Sequence, residues 1–132
     1  MTIVSPENRS VVQLPLTLRW NARLDTLDGG AKRFGIFVDR ATISPGRSLR
    51  YLARDDQICR RRQGCPDDGW LAQNYVFRTT ETTLTIERLP DLRPPTRPKA
   101  PDLHEAAIIL LDDRDRRVGE SAFRVSFIVD RG

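Results

Sequence analysis

The chain has 132 residues, of which 39% are apolar and 30% are charged, and its formal net charge is +4. A chain of this length buries roughly two-thirds of its unfolded surface in one domain, and its dense apolar runs exclude a disordered protein. Because no apolar stretch approaches the roughly 20 residues that cross a bilayer, we expect no membrane span within the chain.

Alternation of apolar and polar residues predicts strands along most of the chain, because successive side chains of a strand point to opposite faces. A short first strand near Thr2 is followed by alternating runs at Leu16–Trp20 and Phe34–Val38. In each run we expect one face to point inward and the other to meet water. The residues Asp28–Gly30 predict a turn between these two strands.

The two cysteines, Cys59 and Cys65, lie close together in the sequence. With a single histidine in the chain and no second cysteine pair, their spacing argues against a structural zinc site. Gly64 and Pro66 favour a turn that would allow a local disulfide, worth about 2 kcal/mol in the chain-entropy model. Such a bond would indicate an oxidising compartment. The alternative is two unpaired thiols in a loop.

The segment that follows the cysteines combines a helical signal with a strand signal. Asp67–Gln73 is the only part of the chain predicted to form a helical turn, with Asp67 or Asp68 as its N-cap. Tyr75 and Phe77 then alternate with their neighbours, so we expect both to be core positions of the next strand.

The second half of the chain predicts three more strands and one irregular connection. Thr83–Glu87 is a threonine-rich alternating run, and Phe123–Asp130 alternates near the end. The run Ala106–Leu111 is apolar on both faces, which predicts a central strand covered on each side, or one whose outer face meets a partner. The proline-rich residues 90–103 predict an extended connection across the surface.

The order of these features resembles a fibronectin type III or bacterial immunoglobulin-like domain. The matching segments are the opening turn Ser5-Pro6-Glu7-Asn8, the second strand Leu16–Trp20 with its core tryptophan, the third strand Arg33–Asp39, the fifth strand and leucine corner Thr83–Pro90, and the closing hairpin Ala107–Ser121. The resemblance implies a single domain over residues 1–132, folded as an antiparallel β-sandwich of about seven strands. It implies a scaffold and no chemistry.

Three departures from this family's pattern direct attention to the irregular segments. His104 stands where the family usually has a tyrosine before its sixth strand, and the connection that precedes it is long. The disulfide that joins the two sheets of antibody domains is absent. Residues 47–78 form an insertion near the middle of the domain, and this insertion contains both cysteines, an arginine run and Trp70.

The sequence gives little support for catalysis or for a metal site. His104 is the only histidine, and no nucleophile motif surrounds it, so we expect a structural role for it. Asp112, Asp113 and Asp115 could suggest calcium, but the arginines between them favour a solvated hairpin turn. We therefore expect no enzymatic activity, no cofactor and no metal.

The densest positive charge is the run Arg60-Arg61-Arg62, which has Arg50, Tyr51 and Arg54 before it. All 22 basic residues except Lys32 and Lys99 are arginine, through either coding bias or selection for pairing with carboxylates or phosphates. The 18 acidic residues nearly balance them, so net charge does not predict a nucleic-acid partner. The run has three interpretations: an acidic protein partner, a phosphate site or a solvated loop.

Trp70 is the remaining candidate for recognition. An aromatic residue beside arginines is typical of binding hot spots, because it buries a large area at little cost in rotamer entropy. The same residue could instead be a lid over the core. The candidate protein-binding residues are thus Arg60, Arg61, Arg62 and Trp70.

The sequence therefore predicts a non-catalytic, extracytoplasmic domain that binds another protein, located in the periplasm, at the cell surface or secreted. One version is an accessory subunit on the outer side of a bacterial membrane complex. Since the first residues lack the regions of a signal peptide, a cytosolic chain or the soluble part of a longer, exported chain are both compatible with the sequence. The main alternative function is a carbohydrate-binding or cell-wall-associated module, and a nucleic-acid binder is a third hypothesis.

Overall fold

The computed structural model describes residues 1–24 and 30–132, and the described residues form eight strands and a few short helices. In chain order these elements are β1 (Thr2–Ser5), β2 (Ser10–Val12), β3 (Leu16–Asn21), β4 (Arg33–Val38), a 3₁₀ helix (Leu49–Ala53), α1 (Gln57–Arg61), α2 (Asp68–Gln73), β5 (Val76–Thr79), β6 (Thr83–Ile86), β7 (Leu103–Leu111) and β8 (Phe123–Val129). The turn predicted at residues 28–30 lies outside the described residues except for its last position.

The strands form two sheets, which confirms the predicted all-β class. One sheet has the order β1-β3-β6 and the other has the order β2-β8-β7-β4-β5. Neighbouring strands are antiparallel, except that β2 runs parallel to β8. The alternating runs at Leu16–Trp20 and Phe34–Val38 contribute to different sheets, and their inward faces meet between the sheets.

The main core lies between the two sheets. Leu16, Leu18 and Trp20 of β3 are buried there against inward residues of β4, β7 and β8. Trp20 meets Phe34 edge to face, with ring centroids 5.4 Å apart, an arrangement that aromatic pairs prefer. The prediction of a core tryptophan in this strand is confirmed.

A second core lies on the outer face of the five-stranded sheet, where residues 41–75 cover β4 and β7. Its buried members are Phe37, Ile43, Leu49, Leu71, Val76, Ile109 and Leu111. This cover explains why Ala106–Leu111 is apolar on both faces, and it confirms the prediction of a central strand covered on each side. It also corrects the expectation that the second face of Phe34–Val38 meets water, since Phe37 is fully buried in the second core.

The strand count exceeds the expected seven because the first segment is divided between the sheets. β1 pairs with β3, whereas β2 pairs with β8. Between them Pro6 has no amide hydrogen to donate to a ladder, and Arg9 has φ of 63°, so the chain turns from one sheet to the other. With only three residues, β2 is too short for alternation to reveal it.

The proline-rich connection is not extended throughout. The amide of Arg97 donates to the carbonyl of Pro94, and the amide of Ala100 donates to the carbonyl of Arg97, which makes two consecutive turns. In each turn the second position is proline, Pro95 and then Pro98, whose fixed φ suits that position. The expectation of an extended connection considered the missing amide donors and not this turn preference.

Candidate binding site

The cover over the second core is built from three short helices, each begun by a polar cap. Ser48 Oγ accepts from the amide of Arg50 at the 3₁₀ helix, Asp56 Oδ1 accepts from the amide of Cys59 at α1, and Asp67 Oδ1 accepts from the amide of Trp70 at α2. The prediction of a helical turn at Asp67–Gln73 with an aspartate cap is confirmed. The prediction that it is the only helical turn is wrong, because Leu49–Ala53 and Gln57–Arg61 are also helical.

Cys59 and Cys65 form a disulfide, with Cα atoms 5.3 Å apart. Cys59 is the buried residue of α1, so the bond ties the loop after α1 to the buried side of this helix. Arg62 Nη2 lies 3.2 Å from Cys65 Sγ and 3.5 Å from Asp67 Oδ2, which places its guanidinium against the disulfide. The bond is of the kind that persists in oxidising compartments.

The three consecutive arginines have different surroundings. Arg60 Nη1 donates to the carbonyl of Arg54 at 3.3 Å, and Arg62 pairs with Asp67 as described above. Arg61 is exposed at the end of α1, and the structure shows no side-chain hydrogen bond or ion pair for it among the described residues. The run therefore does not act as one continuous patch, because its members point to different partners.

Trp70 lies over the second core and is half buried. Its indole Nε1–H donates to Asp56 Oδ2 at 2.8 Å, so its one polar group is already satisfied. The Cys59 amide and this indole N–H together hold the pKa of Asp56 below its usual value. The structure thus places Trp70 as a link between α1 and α2 as well as a partial lid.

A cleft of about 580 Å³ opens between the 3₁₀ helix and the disulfide loop. Its walls are Arg50, Tyr51, Ala53, Arg54, Arg60, Arg62 and the loop Gly64-Cys65-Pro66. Four of these side chains are guanidiniums and none is a carboxylate. We call this space the arginine cleft.

Tyr51 organises one side of the arginine cleft. The guanidinium carbons of Arg47 and Arg54 each lie 4.0 Å from the centre of its ring, a distance typical of cation–π stacking. Arg54 also donates to the carbonyl of Tyr51. These contacts hold the Arg54 side chain at the wall of the cleft.

A second cleft of about 510 Å³ shares Arg50 and the loop 64–66 with the arginine cleft and extends toward the 112–117 turn. Unlike the arginine cleft, this second cleft is lined by carboxylates, Asp113 and Asp115, as well as by arginines, Arg50, Arg78, Arg114 and Arg116. Asp115 pairs with both Arg33 and Arg78, and Arg78 also pairs with Asp68. Of these two clefts, only the arginine cleft has a lining without a carboxylate.

Asp112 and Asp115 of the 112–117 turn are engaged by protein groups. Asp112 Oδ1 accepts from the amides of Arg114 and Arg116, and its other oxygen pairs with the Arg116 guanidinium. Within residues 1–24 and 30–132, no group of three acidic, histidine or cysteine side chains is placed to hold a metal ion. Asp113 is exposed at the tip of the turn.

His104 is fully buried at the start of β7, and both of its ring nitrogens are engaged. Nδ1 lies 2.6 Å from Asp39 Oδ2 and Nε2 lies 2.9 Å from Asp102 Oδ1, while the ring stacks on Phe127. Asp102 is also buried and pairs with Arg131 at 2.7 Å. These residues join the end of β4, the start of β7 and the segment after β8, which is the structural role expected of His104.

Electrostatics in this buried network oppose the effect of burial. Burial alone would lower the pKa of His104, but hydrogen bonds and charge from Asp39 and Asp102 raise it above its ordinary value. Burial would likewise raise the pKa of Asp102, but the hydrogen bond from Arg131 and the neighbouring positive charges lower it. The network is therefore most favourable when His104 is protonated and Asp102 is ionised.

Sequence reasoning identified the disulfide, the flanking arginines and Tyr51, but missed other contacts. The pairing of Trp70 with Asp56 links positions 14 residues apart, and that of His104 with Asp39 links positions 65 apart. The N-cap role of Asp56 could have been predicted, because Asp56 is an acidic residue that precedes the apolar Ile58 and Cys59. No local pattern points to the distant pair.

The described residues contain no helix with the length and apolar content needed to span a bilayer. No protein-family model, curated protein or solved structure matches the chain.

Proposed function

We propose that the protein is a non-catalytic, extracytoplasmic binding domain that docks on another protein through its helical cover. The observation that carries the proposal is the arginine cleft, in which four guanidiniums converge without a lining carboxylate. Arginine is enriched at protein interfaces because its fork makes several directed hydrogen bonds. The disulfide supports an extracytoplasmic setting.

We also propose that the scaffold is an immunoglobulin-like sandwich of the fibronectin type III kind. The arrangement of a three-stranded sheet β1-β3-β6 against a five-stranded sheet, with β2 parallel to β8, supports this assignment. In such a scaffold the sheets provide rigidity and the irregular segments provide recognition. The helical cover, which is fixed to the outer sheet face by the second core, is the irregular segment with the most unbalanced charge.

The arrangement favours a protein ligand over a carbohydrate. A sugar platform needs an aromatic ring with an accessible face, but Tyr51 already stacks with two guanidiniums and Trp70 packs on the second core. Charged side chains around a cleft instead steer a complementary partner and fix its orientation.

The test is recovery of a partner from the native source. Tagged protein is purified under mild detergent beside two variants: one with the cleft residues Arg50, Arg60 and Arg62 changed to glutamate, and a control with Arg19, Arg88 and Arg97 changed to glutamate. The control arginines are exposed, and their substitution changes the net charge equally. We expect a stoichiometric chain that the wild type and the control retain and the first variant loses. Retention by all three proteins, or by none, would overturn the proposal.

A further inference from the structure

Two of the four guanidiniums in the arginine cleft have no carboxylate partner. Arg62 pairs with Asp67, and Arg54 lies 3.7 Å from Asp55, a largely exposed residue. Among the described residues, Arg60 donates only to a backbone carbonyl, and no side-chain hydrogen bond or ion pair is shown for Arg50. The cleft therefore holds an excess of two positive charges.

The fold keeps these like charges together. Arg50 stands on the 3₁₀ helix, which is anchored by the buried Leu49 and Ala53, and Arg60 stands on α1, which is anchored by the buried Cys59. The disulfide holds the loop Gly64-Cys65-Pro66, which forms another wall of the arginine cleft. Because both guanidiniums line one cleft, an anion bound between them is attracted by both. Because the walls are already ordered, little entropy is lost on binding.

The surroundings of the cleft favour discrete carboxylates over a continuous phosphate chain. Asp67 and Asp68 lie beside its disulfide wall, where Asp67 pairs with Arg62 and Asp68 pairs with Arg78. A nucleic-acid strand leaving the arginine cleft would bring further phosphates against these aspartates. A peptide places its carboxylates at separate points with neutral backbone between them, and the guanidinium fork binds each carboxylate with two hydrogen bonds.

We propose that the arginine cleft binds neighbouring Asp or Glu carboxylates of an acidic segment in the partner protein, with Arg50 and Arg60 as their main hydrogen-bond donors. This inference rests on the proposed function, because it names the chemistry that the partner presents. Arg54, held by Tyr51, and Arg62, held by the disulfide, form the remaining walls of the site.

The experiment measures fluorescence anisotropy with a labelled hexaglutamate peptide, and uses a hexaglutamine peptide with the same label as the uncharged control. We expect the wild type to bind hexaglutamate in a saturable manner at about 0.1 M salt, where the Debye length is about 10 Å. Hexaglutamine should bind at least about tenfold more weakly. Arg50→Glu and Arg60→Glu should each weaken hexaglutamate binding by about tenfold or more. Circular dichroism checks that each variant is folded.

Arg88→Glu is the matched control, because its substitution changes the net charge equally. Arg88 is exposed and follows β6 of the three-stranded sheet, whereas the helical cover lies on the outer face of the five-stranded sheet. Arg88→Glu should weaken binding by less than about twofold, because exposed charges more than a Debye length apart are largely screened. An equal loss in Arg88→Glu and Arg50→Glu would overturn the inference, as would tighter binding of a labelled single-stranded DNA than of hexaglutamate.

The outcomes also separate this inference from the proposed function. If a partner is retained from the native source but neither Arg50→Glu nor Arg60→Glu affects hexaglutamate binding, the acidic-segment inference fails and the docking proposal stands. If hexaglutamate binds in a manner that depends on Arg50 but no partner is retained, the docking proposal fails and the cleft remains a carboxylate site.

Discussion

Replacing Asp102 with asparagine tests whether the buried network around His104 stabilises the fold. The Asp102 carboxylate accepts from the Leu92 amide and His104 on Oδ1, and from Arg131 on Oδ2. Asparagine keeps the shape but has one oxygen and no charge. One of these donors then faces an NH₂ group, and the charges of His104 and Arg131 lose their shared counterion.

The expected loss of unfolding free energy is about 3–5 kcal/mol, the range for removing one partner of a buried ion pair. With a urea slope of about 2 kcal/mol/M, a loss of about 4 kcal/mol lowers the urea midpoint by about 2 M. The control is Asp91→Asn, which removes the exposed pair with Arg93. Exposed ion pairs contribute little, so the control midpoint should stay near that of the wild type.

The pH dependence provides a second readout with a definite sign. Because the pKa of His104 is raised in the folded state, its contribution is complete below about pH 6.5 and is lost as pH rises through the folded-state pKa. Because the pKa of Asp102 is lowered, its contribution is present above about pH 3.8 and is lost as pH falls through the folded-state pKa. The network therefore contributes most between these values.

The assay is urea unfolding followed by circular dichroism at pH 5.5, 7.5 and 9, using wild type, Asp102→Asn and Asp91→Asn. The urea midpoint of the wild type should decrease from pH 5.5 to pH 9. The urea midpoint of Asp102→Asn should decrease less over the same range. The reasoning is refuted if Asp102→Asn and Asp91→Asn have the same midpoint at pH 5.5, or if the slope with pH is the same in all three proteins.

Three further experiments test the cover and its disulfide by urea unfolding. Leu71→Ala should lower the free energy of unfolding by about 2–5 kcal/mol, because Leu71 is fully buried in the second core. Ile58→Ala, at a side chain that is 81% exposed, should change it by less than about 0.5 kcal/mol. Equal effects of the two substitutions would show that the second core contributes little. Gly35→Ala should lower the free energy of unfolding by about 1–3 kcal/mol, because the new Cβ would lie 3.0 Å from a methyl carbon of Leu111 on β7. Gly69→Ala in α2 meets only ordinary contacts and should stabilise the protein by up to about 1 kcal/mol. A neutral Gly35→Ala would contradict the close packing. Changing both cysteines to serine should cost about 2 kcal/mol and remove any effect of reductant on the midpoint; a midpoint unaffected by the change would show that the closed loop does not stabilise the fold.

The sheets could be predicted from the sequence because their signal is local. Alternation at Leu16–Trp20 depends on neighbouring residues alone, and its inward face is the one the structure buries. The doubly apolar run at Ala106–Leu111 likewise indicated cover on both faces. What covers the outer face could not be read from this run, because β7 carries no information about which distant segment packs on it.

The helical cover and the buried network were harder to predict for different reasons. The 3₁₀ helix Leu49–Ala53 and α1 have five residues each, fewer than two turns, so no helical period can develop. Asp39 follows β4 and Asp102 directly precedes β7, and aspartate is common at such positions beside strands and turns. Only folding brings these carboxylates to the two sides of His104.

The backbone layer formed by β4 and β7 is shared by the two cores, and it separates their side chains. Residues of the helical cover contact the outer face of this layer, while the inter-sheet core lies on its other side. Mutations among the exposed arginines of the cover are therefore insulated from the packing that maintains the sandwich. Natural variation could retune the affinity of this surface for different partners while the hydrophobic interior of the sandwich stays unchanged.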